Sequence, residues 1–340
     1  MRFADWIISC SLEVNNGCLR FLADSQARGS TAVSPESEDS TLDTRAIYTE
    51  SLLARDTRKI VSHWRLVQPA WVASEPAAQK AARVHVVKLV DMATTLTHVP
   101  APVRLAMRLA SQAIDDKQAK LMLSLARSLP GPGGPEWSSL NDLFTHDSAL
   151  WRNPQLFGEV DDELVSRRLG GAYRRGYRMA KGLKSGWTEQ VGSAEIEQVL
   201  GALMQSSQIA LHGTELLRGV LSDKHKHQLW HLDKVVDALR MRHALRILRE
   251  RARQVGLAKK KVKLARKYLA TEEIRANKKI DKLLVTAFTT KPKKYGRKLL
   301  EAVDAMDLAS VSSVNMSRVA FAELPDDATM QNVVEESDTG

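Results

Sequence analysis

The feature that most constrains the fold is the long interval without proline from Gln155 to Lys291. Proline breaks a helix interior, because it has no backbone N–H and its ring clashes with the preceding turn. Inside this interval apolar residues recur at steps of three and four, as at Leu232, Val236 and Leu239. No part of the chain shows the alternation that is typical of strands. The sequence therefore predicts an all-α protein with long helices.

Proline and glycine predict where these helices end. The strongest such signal is the cluster from Pro130 to Pro135. Around it the pattern predicts helical segments at 42–68, 77–97, 103–128, 159–184, 189–220, 223–254 and 257–306, the last with a bend near 289–292. The cluster divides a helical domain at 42–308 into two parts of similar design. We expect two pseudo-symmetric antiparallel bundles, at 42–129 and 158–308.

The two ends of the chain differ from this helical region. Residues 1–41 are expected to form a disordered or irregular leader, because 23–41 are mostly small and polar. For residues 1–22 a short helix and a poorly ordered extension both stay open. Residues 309–340 are expected to be a disordered acidic tail. The only cysteines are Cys10 and Cys18, too few for a disulfide framework. With no clear signal peptide and no apolar run of membrane-spanning length, a cytoplasmic location is expected.

The charge of the chain points to its partners. The formal net charge is +10, and basic residues crowd the region from Arg167 to Lys298. Such a balance favours a polyanion, whether nucleic acid, a phosphate polymer or an anionic membrane surface. Aromatic residues make up only 5% of the chain, which disfavours a single-strand binder that stacks bases. A duplex binder that contacts only the backbone stays open.

Cations also fall into rows at helical spacing beside apolar seams. The two clearest rows consist of Arg174, Arg178 and Lys181, and of Arg242, Arg246 and Arg249. Guanidinium groups bind phosphate oxygens through paired hydrogen bonds, and ammonium groups add point charge. A solvated helix face is the alternative, but such a face usually mixes acids with bases. The rows therefore favour a phosphate-binding groove.

The sequence shows no persuasive set of catalytic groups. His227 and His231 stand one helical turn apart near His225, but the neighbouring Lys224 and Lys226 repel a cation. An exposed, solvated helix start is favoured over a metal site. We expect no enzymatic activity, no cofactor and no metal ion. For His243, on the apolar side of its helix, a core role and a ligand role both stay open.

Three segments of the second half carry a resemblance to a known family. They are AYRRGYRMAKGL at 172–183, LDKVVDALRMRHALRILRERA at 232–252 and NKKIDKLLVTAFTTKPKKYGRKLL at 277–300, with weaker echoes at His85, Lys88 and 114–123. The chain resembles a divergent member of the CHAD family, the conserved histidine α-helical domain of bacterial type. The resemblance implies two bundles around a basic cavity, binding of inorganic polyphosphate and association with polyphosphate granules.

The chain departs from the family pattern at Asp91–Thr95 and Met204–Gln208, where cations would be expected. The prediction is non-enzymatic binding of a phosphate polyanion, with inorganic polyphosphate as the favoured ligand. The predicted ligand residues are His85, Lys88 and Lys117 in the first half, Arg174, Arg178 and Lys181 on one helix, Arg242, His243, Arg246 and Arg249 on the next, and Lys278, Lys282, Lys291 and Arg297 on the last. The alternatives are a scaffold for a protein partner with reduced phosphate binding, or backbone-only binding of nucleic acid.

Overall fold

The computed structural model describes residues 2–29, 44–68, 77–98, 100–113, 115–128, 137–157, 160–253 and 258–305. Within these ranges the chain forms α-helices and two short 3-10 helices, and no strand, so the predicted all-α class is confirmed. The α-helices are α1 (Phe3–Gly29), α2 (Thr44–Val67), α3 (Ala77–His98), α4 (Pro100–Ser111), α5 (Asp116–Ser128), α6 (Trp137–Trp151), α7 (Asp162–Gly182), α8 (Ala194–Glu215), α9 (Asp223–Arg251), α10 (Lys259–Ala287) and α11 (Pro292–Asp304). The 3-10 helices are Pro154–Leu156 and Trp187–Glu189.

The helices belong to one compact unit, which runs from Met1 to Ala305. At its centre is α2, which packs against α1, α3, α4, α7 and α8. Its buried face includes Leu53, Ile60 and Trp64. Helices from the two halves of the chain therefore share one core. The pseudo-symmetric pair of bundles is not confirmed and stays a prediction. The predicted acidic tail lies outside the described residues.

Residues 3–29 of the predicted leader form the helix α1, which agrees with the helix left open for 1–22 and corrects the prediction of disorder for 23–29. Buried Phe3, Ile7 and Leu22 attach α1 to the core, against α2, α6 and α7. Polar Ser11 and Asn15 occupy positions on the same face, so the apolar residues alone do not show a continuous helical pattern in the sequence. Both polar side chains are buried and hydrogen-bonded, so they belong to the same inward face. The remaining predicted leader residues, 30–43, lie outside the described residues.

Two of the predicted helical segments are each divided into two helices in the structure. The segment predicted at 103–128 consists of α4 and α5, separated at residues 112–115. The backbone N–H of Gln118 donates to the Asp115 carboxylate at 2.7 Å, which stabilises the start of α5. The bend predicted near 289–292 is confirmed as the break between α10 and α11, with Pro292 in the first turn of α11.

Among the described residues, no helix is both long enough and apolar enough to cross a membrane.

Glycine allows α8 to lie close to its neighbours. A methyl group on Gly213 would lie 2.8 Å from side-chain carbons of both Leu66 and Leu169. On α7, a methyl group on Gly176 would lie 2.9 Å from the ring of Phe288. Distances this short leave no room for a side chain larger than hydrogen. These close approaches fix α7 between α8 and the end of α10.

Candidate polyanion-binding surface

The outer face of α7 is a strongly basic surface. No Asp or Glu occurs between Glu163 and Glu189, while this interval holds seven Arg and Lys residues. The inward face of α7 carries Leu169, Ala172 and Tyr173, all fully buried. The cations that are out of phase with these residues point into solvent. The exposed ones are Arg174, Arg175, Arg178, Lys181 and, just beyond the helix, Lys184.

Within the described ranges, the first three of these cations have no carboxylate partner. Among the described residues, no ion pair or hydrogen bond involves Arg174, Arg175 or Arg178. The other two arginines of α7 differ: Arg167 Nη2 binds Glu163 Oε1 at 2.8 Å, and Arg168 turns inward to the carbonyl of Leu66 at 2.9 Å. Three guanidinium groups on adjacent turns are thus available to an anion from solution.

Helix α11 packs against α7, and α10 packs against the 3-10 helix that follows α7. Trp187, in the loop after α7, donates its indole N–H to Asp281 of α10 at 2.9 Å. Tyr173 donates its hydroxyl to the carbonyl of Thr290 at 3.0 Å. Both helices add exposed or half-buried cations, namely Lys278, Lys279, Lys282, Lys291, Lys293, Lys294, Arg297 and Lys298. We call these cations, together with those exposed on α7 and Lys184, the α7–α11 surface.

Some cations of the α7–α11 surface are paired. Lys278 Nζ lies 2.8 Å from Glu189, and Arg297 Nε lies 3.6 Å from Glu301. Both pairs are about half exposed to solvent. Exposed pairs of this kind are typically worth only about 0–1 kcal/mol, so a phosphate group can compete with the carboxylates. The predicted ligands that lie on α7, α10 and α11 or just before α11 are exposed, namely Arg174, Arg178, Lys181, Lys278, Lys282, Lys291 and Arg297.

Buried aromatic packing holds these helices together. The rings of Tyr173 and Tyr295 stack with their centroids 3.7 Å apart. Gln228 donates to the Tyr173 hydroxyl at 2.7 Å, and the Thr214 and Tyr295 hydroxyls lie 2.6 Å apart. Burial raises the pKa of Tyr295 to about 12, so it stays neutral at physiological pH. The hydrogen-bonded side chains of Tyr173 and Tyr295 thus hold α7 and α11 together beneath the basic surface.

The prediction that the second arginine row binds a polyanion is corrected for Arg242. This residue is only 2% exposed. Its guanidinium binds both carboxylate oxygens of Glu197 on α8, and its Nε donates to Asn277 on α10 at 3.2 Å. A charge removed from water in this way needs partners of the opposite sign, and here the protein supplies them. Arg242 therefore ties α8, α9 and α10 together and is not open to solution.

The other members of this row also face carboxylates. Arg249 Nε donates to Glu273 at 2.6 Å, and Glu273 is completely buried. Burial raises the pKa of Glu273, while Arg249 opposes part of that rise. Arg246 lies 3.4 Å from Glu197 and 3.3 Å from Glu250. The row is therefore largely neutralised inside the protein. His243, half-buried on the same helix, lies among these residues.

The predicted ligands of the first half lie on other helices. Lys117 is exposed on α5, which packs against α4 and α10. His85 on α3 is buried, and its Nε2 lies 3.0 Å from Asp147. Lys88 is exposed and lines a groove of about 640 Å³ between α3 and α6. This groove also contains Asp91 and Asp142, whose charges disfavour a polyanion. No direct contact joins these three residues to the α7–α11 surface among the described residues.

Sequence reasoning missed the acids that neutralise the second row. Glu273 and Asn277 stand on the same face of α10 as Leu269 and Ile280, which are buried. A charged or amide side chain at a core-facing position of a helix needs a polar partner inside the protein. That signal was present in the sequence. Glu197 offered none, because it lies next to Ile196 in an ordinary acidic first turn of α8.

Within the described residues, no group of three or more His, Cys, Asp and Glu side chains could hold a metal ion. Comparisons with protein-family models, with curated proteins and with solved structures found no match to this chain. The resemblance to the CHAD family accordingly rests on the sequence segments alone.

Proposed function

We propose that the α7–α11 surface binds a phosphate polyanion without chemical turnover, and that inorganic polyphosphate is its ligand. The observation that carries the proposal is the acid-free interval from Glu163 to Glu189, with Arg174, Arg175 and Arg178 exposed and without an ion pair in the described part of the chain. Three such groups on one short helix face repel one another, and a polyanion relieves that repulsion. The resemblance of residues 172–183 to the basic CHAD helix supports the same ligand.

The arrangement suits a long, flexible chain of phosphates. Arg174 and Arg178 are one helical turn apart, so their side chains lie about 5–6 Å from each other at the Cβ atoms. Each guanidinium can bind oxygens of a different phosphate in the same chain. Cations of α10 and α11 extend the surface beyond α7. A chain that reaches several of these groups at once should bind more tightly than a short one.

The first prediction concerns the three unpaired arginines. Replacing them together (Arg174→Glu, Arg175→Glu and Arg178→Glu) should weaken binding of long-chain polyphosphate at least ~100-fold at low salt, because attraction becomes repulsion. The affinity is measured by isothermal titration calorimetry, and circular dichroism shows that the exposed substitutions leave the helices intact. A control with equal charge change, Lys117→Glu, Lys120→Glu and Arg127→Glu on α5, should lose much less affinity.

Two further outcomes decide the proposal. Binding should weaken steeply as salt rises, since phosphate contacts release counterions. Undetectable binding by the wild type at low salt, or an equal loss in the α5 control, would contradict the proposed surface. Duplex DNA serves as competitor at equal phosphate concentration. If it displaces polyphosphate fully, the ligand is nucleic acid instead.

A further inference from the structure

Two histidines of α9 face each other at a distance suited to a metal ion. The Nε2 atoms of His227 and His231 lie 3.0 Å apart, and the two rings are nearly perpendicular, at 85°. The residues are one helical turn apart, and His227 is exposed. We propose that this pair forms a bidentate site for a divalent transition metal, with Cu²⁺ as the preferred ion, independent of the polyanion-binding surface.

The distance between the nitrogens selects among metals. An imidazole nitrogen binds such ions at about 2.0–2.1 Å. With bonds of that length, nitrogens 3.0 Å apart subtend an angle of about 94° at the metal. That angle suits the square-planar or tetragonal geometry of Cu²⁺ and Ni²⁺. A tetrahedral Zn²⁺ ion would need the nitrogens about 3.3 Å apart. Cu²⁺ also forms the strongest complexes with nitrogen ligands among these ions.

The charges around the pair are mixed, because one neighbouring lysine faces a carboxylate while another keeps its positive charge near the site. Lys226 is drawn to Asp223, whose carboxylate lies 3.4 Å from its Nζ. Lys234 lies over the ring of Trp230, 5.5 Å from the ring centre. No third His, Cys, Asp or Glu completes a metal-binding group in the described part of the chain. Water therefore fills the remaining coordination positions, as in an open site.

Metal binding requires a proton to move. The hydrogen bond between the two Nε2 atoms means that one of them carries a proton, whereas a metal needs a lone pair on each. On the exposed His227 that proton can move to Nδ1, where water accepts its hydrogen bond. On His231 the Nδ1 atom is buried and has no partner within the described residues. A metal-bound His231 would leave its Nδ1–H without a hydrogen-bond acceptor, and this limits the affinity.

The test titrates the full-length protein with Cu²⁺ and uses Trp230 as a nearby reporter. Its ring lies 4.9 Å from that of His231 and is 52% exposed, so a bound Cu²⁺ ion should quench its fluorescence. One equivalent should bind, with nitrogen hyperfine coupling from two imidazoles in the electron paramagnetic resonance spectrum. His227→Ala and His231→Ala should each lower the affinity at least ~10-fold. Ni²⁺ should bind more weakly than Cu²⁺.

The control is His225→Ala, which removes a third histidine of the same helix. Its Nδ1 is bound to Ser222 at 2.7 Å, outside the proposed pair, so Cu²⁺ affinity should not change. The proposal is overturned if either of the other two variants binds Cu²⁺ within twofold of the wild type. It is also overturned if the wild-type spectrum shows no coupling to two imidazole nitrogens, a readout that does not depend on any variant folding.

Discussion

Acidification from pH 7 to pH 4 is expected to remove about 3 kcal/mol of folding stability through His63 alone. His63 is buried beside Ser11, whose Oγ lies 2.8 Å from its Nδ1. Burial, helped by the charge of Lys59, lowers the pKa of His63 to about 3. His212 is also buried, 2.9 Å from Ser62 Oγ, and burial lowers its pKa well below the ordinary value. Its contribution has the same sign.

The sign of this pH effect on stability follows from proton binding by the folded and unfolded states. In the unfolded chain a histidine takes up a proton near pH 6.5, whereas folded His63 does so only near pH 3. The unfolded state therefore binds more protons between these values. Stability is complete above about pH 6.5 and falls as the pH decreases toward 3. Because domains of ordinary stability have about 5–15 kcal/mol, two such residues can bring the protein close to unfolding.

The measurement is urea-induced unfolding followed by tryptophan fluorescence at several pH values between 4 and 7.5. The double variant His63→Gln, His212→Gln should be less stable at pH 7 but should lose its dependence on pH from 7 to 5, because an amide does not titrate there. The exposed-site control His227→Gln should keep the dependence of the wild type. An equally steep fall in the double variant would show that other groups cause it.

Asp147→Ala is expected to destabilise the protein by about 3–5 kcal/mol. The carboxylate of Asp147 is completely buried on α6 and accepts three hydrogen bonds from two other helices and its own. The donors are the indole N–H groups of Trp64 and Trp151, both at 2.9 Å, and Nε2 of His85 at 3.0 Å. Removing the carboxylate leaves three buried donors without an acceptor, and each costs about 1–3 kcal/mol.

The matched control for this prediction is Asp142→Ala, on the same helix but exposed. It should change stability by no more than about 0.5 kcal/mol. Asp147→Asn should have an intermediate effect, because the amide can accept from some donors but points its NH₂ group at another. Urea unfolding supplies the free energies. Equal stability of the Asp147→Ala and Asp142→Ala variants would refute the role given to Asp147.

Much of the helical architecture follows from local sequence. The predicted segments at 77–97 and 223–254 correspond to α3 and α9, and the Pro292 signal marks a real helix start. Local rules suffice there because proline and apolar spacing act within a few residues. The same rules failed for α1, where a helix depends on polar residues that are satisfied only by distant partners. Asn15, for example, donates to the carbonyl of Phe144.

The candidate surface was predictable in part. The exposure of Arg174 and Arg178 follows from the phase of the buried residues Leu169, Ala172 and Tyr173. The fate of Arg242 does not, because it depends on Glu197, which lies on another helix. Periodicity tells which residues share a face, but not which helix covers that face. Two arginine rows with the same spacing can therefore differ in environment: the row on α7 faces solvent, whereas the row on α9 faces carboxylates of the protein.

The anchoring of α1 has a consequence for synthesis on the ribosome. The backbone N–H of Ala4 donates to the carboxylate of Asp162, 158 residues further along the chain, at 3.1 Å. At elongation rates of about 5–20 residues per second, that partner is made roughly 8–30 s after Ala4. Of the three helices that cover Phe3, Ile7 and Leu22, α2 is made early in this interval, whereas α6 and the start of α7 are made at its end. Docking of α1 is therefore complete only after the start of α7 has been made, and until then part of its apolar face is a natural target for a chaperone.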